Sequence, residues 1–263
     1  VDEEQWKASP PGQAVSTFLD FMGSVLIMSI GSAVGILVNR GIDWLTKRGD
    51  DERAKRLTEP ERIESLRNAL ILIASWSAFE ACFEDYCKGV LQLNPHILEK
   101  EEIRKKKVPL SQVLLPEDEK LDVVYRALKE AVRTNGGVGH YEELLGFLDL
   151  SEAVPPVIRN AFYEGRMVRH VWAHQAGVAD AKFVRNAGHL GFAQGQLVAM
   201  TNDQLTIYME SIIIYTTILA SRHRMSVGLG PDPLGPKQKS TPIAEAYWDL
   251  YPSTRRSASD NSD

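Results

Sequence analysis

The stretch "PERIESLRNALILIASWSAFEACFEDYCKGVLQLNP", residues 60–95, sets the fold class. Pro60 stands at the head, where a proline is tolerated in the first turn of a helix, and Asn94-Pro95 is a stop signal. Between them Ile63, Leu66, Leu70, Ile73, Trp76 and Phe83 recur at helical spacing. The pattern predicts one long helix over 60–94. Downstream, "LEKEEIRKKK" (98–107) reads as an exposed charged helix, with further helices over 117–133 and, after the "TNGGVG" turn, over 140–149. Val154-Pro155-Pro156 opens the next helix, and Gly177 is placed to end it. Residues 180–200 hold four short pieces that the pattern leaves open between strand and short helix. "TNDQLTIYMESIIIYTTILASRHR" (201–224) is a final helix, with Thr201 or Asn202 as its N-cap. The chain reads as all-α, with no internal repeat and no glycine-rich nucleotide loop.

Upstream lies "FLDFMGSVLIMSIGSAVGILVNRGIDWLTKR" (18–48), with no charge between Phe21 and Val38 and apolar residues all round the helix. Such a segment is buried in protein or in lipid. Gly31 and Gly35 form a G-x-x-x-G pair, and Arg40, Lys47 and Arg48 follow the run while acidic residues precede it. A span would put the later chain in the cytoplasm; the alternative is a core helix capping the main domain. The expected division is therefore 1–58 (hydrophobic helix, a membrane anchor on the first reading, and charged connector), 59–225 (helical domain) and 226–263. The last part is rich in Gly, Pro, Ser and charge and reads as a disordered tail, with "IAEAYWDLY" (243–251) as a weak docking segment.

Hydrophobic residues make up 44% of the 263 and charged residues 25%, enough for a real core. A net charge of -5 argues against coating nucleic acid by bulk electrostatics, while leaving room for a local basic patch. Cys82 and Cys87 have no further Cys to complete a zinc or disulfide pattern, so they read as buried free thiols in a reducing compartment. The acidic opening "VDEEQWKASPPG" does not resemble a signal peptide.

On a wheel at about 100° per residue, Val157, Ala161, Val168 and Trp172 gather on one side of the helix over 157–175, with Gly165 beside them. Arg159, Tyr163, Arg166, Arg169, His170 and His174 occupy a sector about 140° wide on the other side. That sector contains no carboxylate. A solvated face mixes signs for i,i+4 pairing, whereas guanidinium forks suit phosphate and imidazoles pass protons near neutral pH. Three readings stand: an anion site with phosphodiester chemistry, a plain basic face, and a metal held by His170 and His174. Neighbouring arginines and the lack of an H-E-x-x-H glutamate weigh against the metal. Arg169 and His174 point about 140° apart, so one small ligand does not meet both within one chain, and a two-fold dimer would bring a second copy of the face.

With "RHVWAH" (169–174) followed by Gly177 and Asp180, the chain resembles the HEPN superfamily, whose hallmark is R-x4-H with a polar residue after the arginine. The helix "LILIASWSAFEACFEDYC", with Glu80 inside it, and the closing "DQLTIYMESIIIYTTILA" are similar to the family's other helices. The resemblance covers roughly 60–94 and 157–224; residues 95–156 carry no family signature. It implies an HEPN-like up-and-down bundle that cleaves RNA without metal or cofactor, as a homodimer through the R-x4-H helix. Arg169 would bind the scissile phosphate. His174 would act as base on the 2′-OH or acid toward the 5′-oxygen, and His170 would orient the phosphate or assist proton transfer. Arg166 and Tyr163, from the wheel, are RNA contacts. Glu80 is either a support for an active-site side chain or a buried structural carboxylate. The resemblance also implies an antitoxin or nucleotidyltransferase partner, a role as toxin or defence effector, and a cytoplasmic place, tethered to the membrane if residues 18–38 insert. The alternative is a silent module that binds RNA, nucleotide or a partner protein.

Overall fold

Helix starts in this chain are written by short polar residues and prolines, and the computed structural model follows them. It describes residues 2–28, 58–104, 116–134, 136–232 and 241–253. Most of these are helical and none forms a strand, apart from a lone antiparallel bridge between Val178 and Leu197. The class is all-α. Helix α1 (Glu3–Ala8) opens with a capping box in which Asp2 accepts from the Gln5 N–H at 2.8 Å and Gln5 from the Asp2 N–H at 3.1 Å. Helix α2 (Pro10–Met28) buries Val15, Phe18, Met22 and Val25. Those positions make one stripe along the part of the helix whose side chains are described. The rest of the uncharged run, with Gly31, Gly35 and the charged connector, lies outside the described residues.

Helix α3 (Glu59–Leu93) is the long helix expected from residues 60–95. Its inward line runs through Leu66, Ala69, Leu72, Trp76, Phe79, Phe83 and Tyr86, while Ile63 is 39% exposed and Leu70 and Ile73 are half-buried. The helical period holds, and Ser65, Asn68 and Ser75 share the buried side. Among the described residues Pro60–Leu93 is the one helix long and apolar enough to cross a membrane, and 56% of its apolar window is buried inside the protein. After a 3₁₀ turn (Pro95–Glu99) come α4 (Glu101–Arg104), α5 (Glu117–Ala131), α6 (Gly137–Phe147), α7 (Pro156–Gln175), α8 (Ala181–Ala187), a second 3₁₀ turn (Gly188–Leu190), α9 (Asn202–Ser226) and α10 (Pro242–Leu250).

By packing, the chain falls into two compact units, neither continuous in sequence. One comprises Val1–Leu19, Phe79–Arg159 and Ile214–Asp263, the other Asp20–Ala78 and Asn160–Ile213. In the first, Phe79 meets the rings of Phe18, Phe83, Tyr141 and Tyr215. Cys82 and Cys87 are free and buried there, and burial pushes the Cys82 thiol up to about 12, which leaves it unreactive.

The disordered-tail expectation is corrected over 241–251. Thr241 caps α10 by accepting from the Ala244 N–H at 3.0 Å, and Ile243, Ala244, Tyr247 and Tyr251 are buried. The Tyr247 hydroxyl donates to the Asp232 carbonyl at 3.3 Å and lies 3.1 Å from Ser221 Oγ. The aromatic segment docks within its own chain because its apolar positions share one helical face.

In the second unit Thr201 is the N-cap of α9. Its Oγ1 accepts from the Gln204 N–H at 3.3 Å, and Gln204 Oε1 accepts from the Thr201 N–H at 3.0 Å. Asn68, fully buried on α3, donates to the Met200 carbonyl at 3.0 Å, and Ser65 Oγ accepts from the Met200 N–H at 3.1 Å. These bonds hold the approach to α9 against α3. Residues 180–200 resolve into α8, the 3₁₀ turn and the single bridge.

Candidate functional site

Helix α7 carries the site, and burial decides which of its side chains remain available. Ile158, Ala161, Phe162, Gly165, Met167, Val168, Val171 and Trp172 are buried, whereas Val157 is 36% exposed. Val157 thus leaves the inward face assigned to it, and Ile158 and Phe162 take its place. Within the second unit the Phe162 ring lies 4.7 Å from Trp76. A Cβ on Gly165 would come within 3.1 Å of the Tyr208 ring, so no larger residue fits there without displacement.

His170 is half-buried and His174 exposed, one turn apart, with ring centroids at 4.7 Å and planes tilted by 56°. Tyr163 and Arg166 are half-exposed on the same side. Arg169 is different. By helix geometry it projects about 20° from the buried Phe162 and about 140° from His174, and although the residue is half-exposed its Nε is sealed from solvent. The face therefore presents Arg166, His170, His174 and Tyr163 together, with Arg169 at its inner margin. Glu80 belongs to the first unit and is exposed, so it is not a buried structural carboxylate.

The carboxyl end of α7 is built to place helix α8. Ala176 and Gly177 have φ of 52° and 81°, a region that favours glycine, and the Gly177 N–H donates to the Val171 carbonyl at 3.2 Å. A Cβ on Gly177 would lie 3.0 Å from the Trp172 ring. Trp172 Nε1 donates to the Val198 carbonyl at 3.0 Å, and the Val198 N–H to the Gly177 carbonyl at 2.8 Å. Ala179 exchanges bonds with Gln196 and Gly195 at 2.9 and 2.8 Å. Asp180 then caps α8, accepting from the Phe183 N–H at 2.6 Å.

This turn brings Lys182 and Asp180 into the electrostatic surroundings of His170. Burial holds the His170 imidazole below its ordinary range, and the charges of His174, Lys182 and Arg166 push the same way, against the opposing pull of Asp180. Arg166 and Lys182 form no ion pair among the described residues. The carboxylate nearest in sequence, Glu164, is turned about 120° from His170 and pairs with His189 at 2.9 Å. Among the described residues no group of three or more His, Cys, Asp or Glu suits a metal ion.

Chemically, then, the face joins an imidazole held below its ordinary range, a second imidazole in ring contact and two cations without ion-pair partners among the described residues. Such a set binds an anion and moves protons beside it. Lys182 was missed in the sequence because its place depends on two residues at positive φ. The N-cap pattern of Asp180 after Gly177 was the one signal that a second helix starts there. Comparison with protein-family models, with curated proteins and with solved structures gave no match to this chain.

Proposed function

We propose that the protein is a metal-independent endoribonuclease of HEPN type. One observation carries this reading: the His170–His174 ring pair at 4.7 Å lies on a face whose cations, Arg166 and Lys182, have no ion-pair partners among the described residues. His170, held largely neutral near pH 7, takes the proton of a ribose 2′-OH as its oxygen attacks phosphorus. The bond from phosphorus to the 5′-oxygen breaks, and His174 acts as the acid that gives that oxygen a proton. The products are a 2′,3′-cyclic phosphate and a 5′-hydroxyl. Arg166 and Lys182 offset the charge on the phosphoryl oxygens. Arg169 serves the scissile phosphate from its inner position, and a second α7 across a two-fold axis supplies the side that one chain leaves open.

The test is cleavage of unstructured RNA in EDTA by the purified protein. His174→Ala and His170→Ala each lower the rate by about 10² to 10⁴-fold, the usual contribution of an acid–base group. Full activity in both variants, or a requirement for a divalent ion, overturns the assignment. A second reading, a module that binds RNA without turnover, is favoured by the sealed Nε of Arg169. RNA binding by the unaltered protein with no cyclic phosphate formed selects it.

A further inference from the structure

Histidines four apart on a helix share one face, and two imidazoles so placed can hold one transition-metal ion between them. His170 and His174 stand in that relation, with ring centroids 4.7 Å apart and planes tilted by 56°. A metal–nitrogen bond is about 2.0–2.1 Å long, and the ring centre lies about 1.1 Å further out. Two imidazoles on one ion then have centroids about 4.5 Å apart at a right angle and about 5.1 Å apart at the tetrahedral angle. The observed separation falls between these limits, so the backbone already holds the rings at the spacing of a shared ion. Both rings reach the surface, and neither forms a hydrogen bond or an ion pair among the described residues. Other strong ligands of such ions are enclosed or engaged. Cys82 and Cys87 are buried, His223 accepts from Trp6 at 3.2 Å, and His189 pairs with Glu164 at 2.9 Å.

We infer that His170 and His174 chelate a divalent transition-metal ion of the kind that seeks imidazole, such as Zn²⁺ or Ni²⁺, and that this ion reversibly switches the site off. The binding rests on the ring geometry. The switching rests on the ribonuclease reading, because the ion occupies the ring nitrogens that would take and give protons. Among the described residues no set of three or more His, Cys, Asp or Glu suits a metal, so water completes the coordination and the ion exchanges freely. Two features oppose a cation here, and neither excludes a two-ligand chelate. The glutamate of H-E-x-x-H serves as general base in hydrolysis and is not needed for binding. Of the arginines, Arg169 projects away from His174, and the Arg166 Cα lies about 9 Å along the axis before the midpoint of the pair. That distance exceeds the roughly 8 Å over which physiological salt screens exposed charges. Two ligands in place of the four of a structural zinc site give about the square root of its affinity, a dissociation constant of about 1–200 µM.

Zinc chloride alone, added to the untagged full chain at neutral pH and followed by calorimetry, tests the binding. One ion binds per chain in that range. His170→Ala and His174→Ala each weaken it on the order of 100-fold, because a single imidazole remains. Exchanging the second histidine with its neighbour, His174→Gln together with Gln175→His, keeps the composition but sets the two rings about 140° apart, and the chelate is lost. His189→Gln leaves binding unchanged. Cleavage of unstructured RNA by the unaltered protein is inhibited over the same zinc concentrations and restored by EDTA. Mg²⁺, which takes oxygen ligands, does not inhibit it. No zinc binding across that range, or binding that survives both alanine variants and the exchange, overturns the site. Zinc held by the pair with cleavage undiminished at saturation overturns the switch. If the unaltered protein cleaves nothing even in EDTA while zinc still binds through the pair, the nuclease reading fails and the metal site stands.

Discussion

The first unit and the second both hold arginine and histidine within or beside a helix, and they treat them in opposite ways. In the first, Arg222 is 3% exposed and both terminal nitrogens of its fork are matched. Nη1 donates to Glu142 at 2.8 and 3.0 Å and to the Leu150 carbonyl at 3.3 Å, while Nη2 donates to the Glu152 carbonyl at 3.1 Å. The Tyr215 hydroxyl donates to the same Glu142 carboxylate at 2.8 Å. Next to it His223 is buried and accepts from Trp6 Nε1 at 3.2 Å. In the second unit Arg166, His170, His174 and Lys182 reach the surface, and the two full cations have no ion-pair partner among the described residues. Residue type alone does not mark a site. The difference lies in whether the fold has already supplied the counter-charge.

The largest effect is expected where the counter-charge is most complete. Arg222→Ala leaves the Glu142 carboxylate, 14% exposed, with part of its partners gone, which costs about 3 kcal/mol, the lower end of the range for breaking a buried pair by removing one member. Arg166→Ala, at a half-exposed position with no ion pair among the described residues, changes stability by no more than about 0.5 kcal/mol while weakening RNA binding. Urea unfolding midpoints of the two variants decide this. Equal destabilisation by both would mean that Arg166 is a structural residue and would dissolve the contrast.

Acid separates the units next. Burial lowers His223 from its ordinary 6.5 to about 4, because charging the ring would desolvate an imidazolium and put a proton on the nitrogen that accepts from Trp6. The unfolded chain binds that proton more readily than the folded one, so stability rises with pH between the two values. The contribution is fully present above about pH 6.5 and is lost as pH falls toward 4, amounting to about 3 kcal/mol across that window. His223→Gln, which keeps an acceptor for Trp6, flattens the pH dependence of the unfolding midpoint between pH 7 and 5. A dependence as steep as in the unaltered protein would place the acid-sensitive group elsewhere.

The helical class was legible wherever helices carry their own punctuation. Pro60 and Asn94-Pro95 bounded α3, Thr201 with Gln204 marked the start of α9, and Gly177 closed α7. Faces were less legible, because period fixes spacing and not phase. Ile63 and Val157 are apolar yet exposed, whereas Ser65, Asn68 and Ser75 are buried on α3, and Ile158 and Phe162 on α7. The tail misled for a related reason: its Gly, Pro and Ser content hid a nine-residue helix whose burial depends on Ser221 and Asp232, far from it in sequence. At the site the histidine pair and Arg166 could be read from the wheel, since one helix presents them. Lys182 could not, because a left-handed turn intervenes and no local period crosses it.

The smallest expected effect tests how α8 is held beside the histidines. Its start is fixed by the bonds of Gly177 and Ala179 and by the Asp180 cap, whereas its end runs into the 3₁₀ turn that carries His189. His189 Nε2 meets Glu164 Oε1 at 2.9 Å, with 56% of the His189 and 27% of the Glu164 side chain exposed. At that exposure the pair contributes at most about 1 kcal/mol, so Glu164→Gln leaves the global unfolding midpoint nearly unchanged. The pair joins α7 to the 3₁₀ turn that directly follows this seven-residue helix. Hydrogen exchange of the α8 amides should therefore quicken in Glu164→Gln while the buried amides of α7 keep their protection, the pattern of local and not global opening. Unaltered exchange in α8 would show that the Gly177 turn and the Asp180 cap hold Lys182 in place unaided.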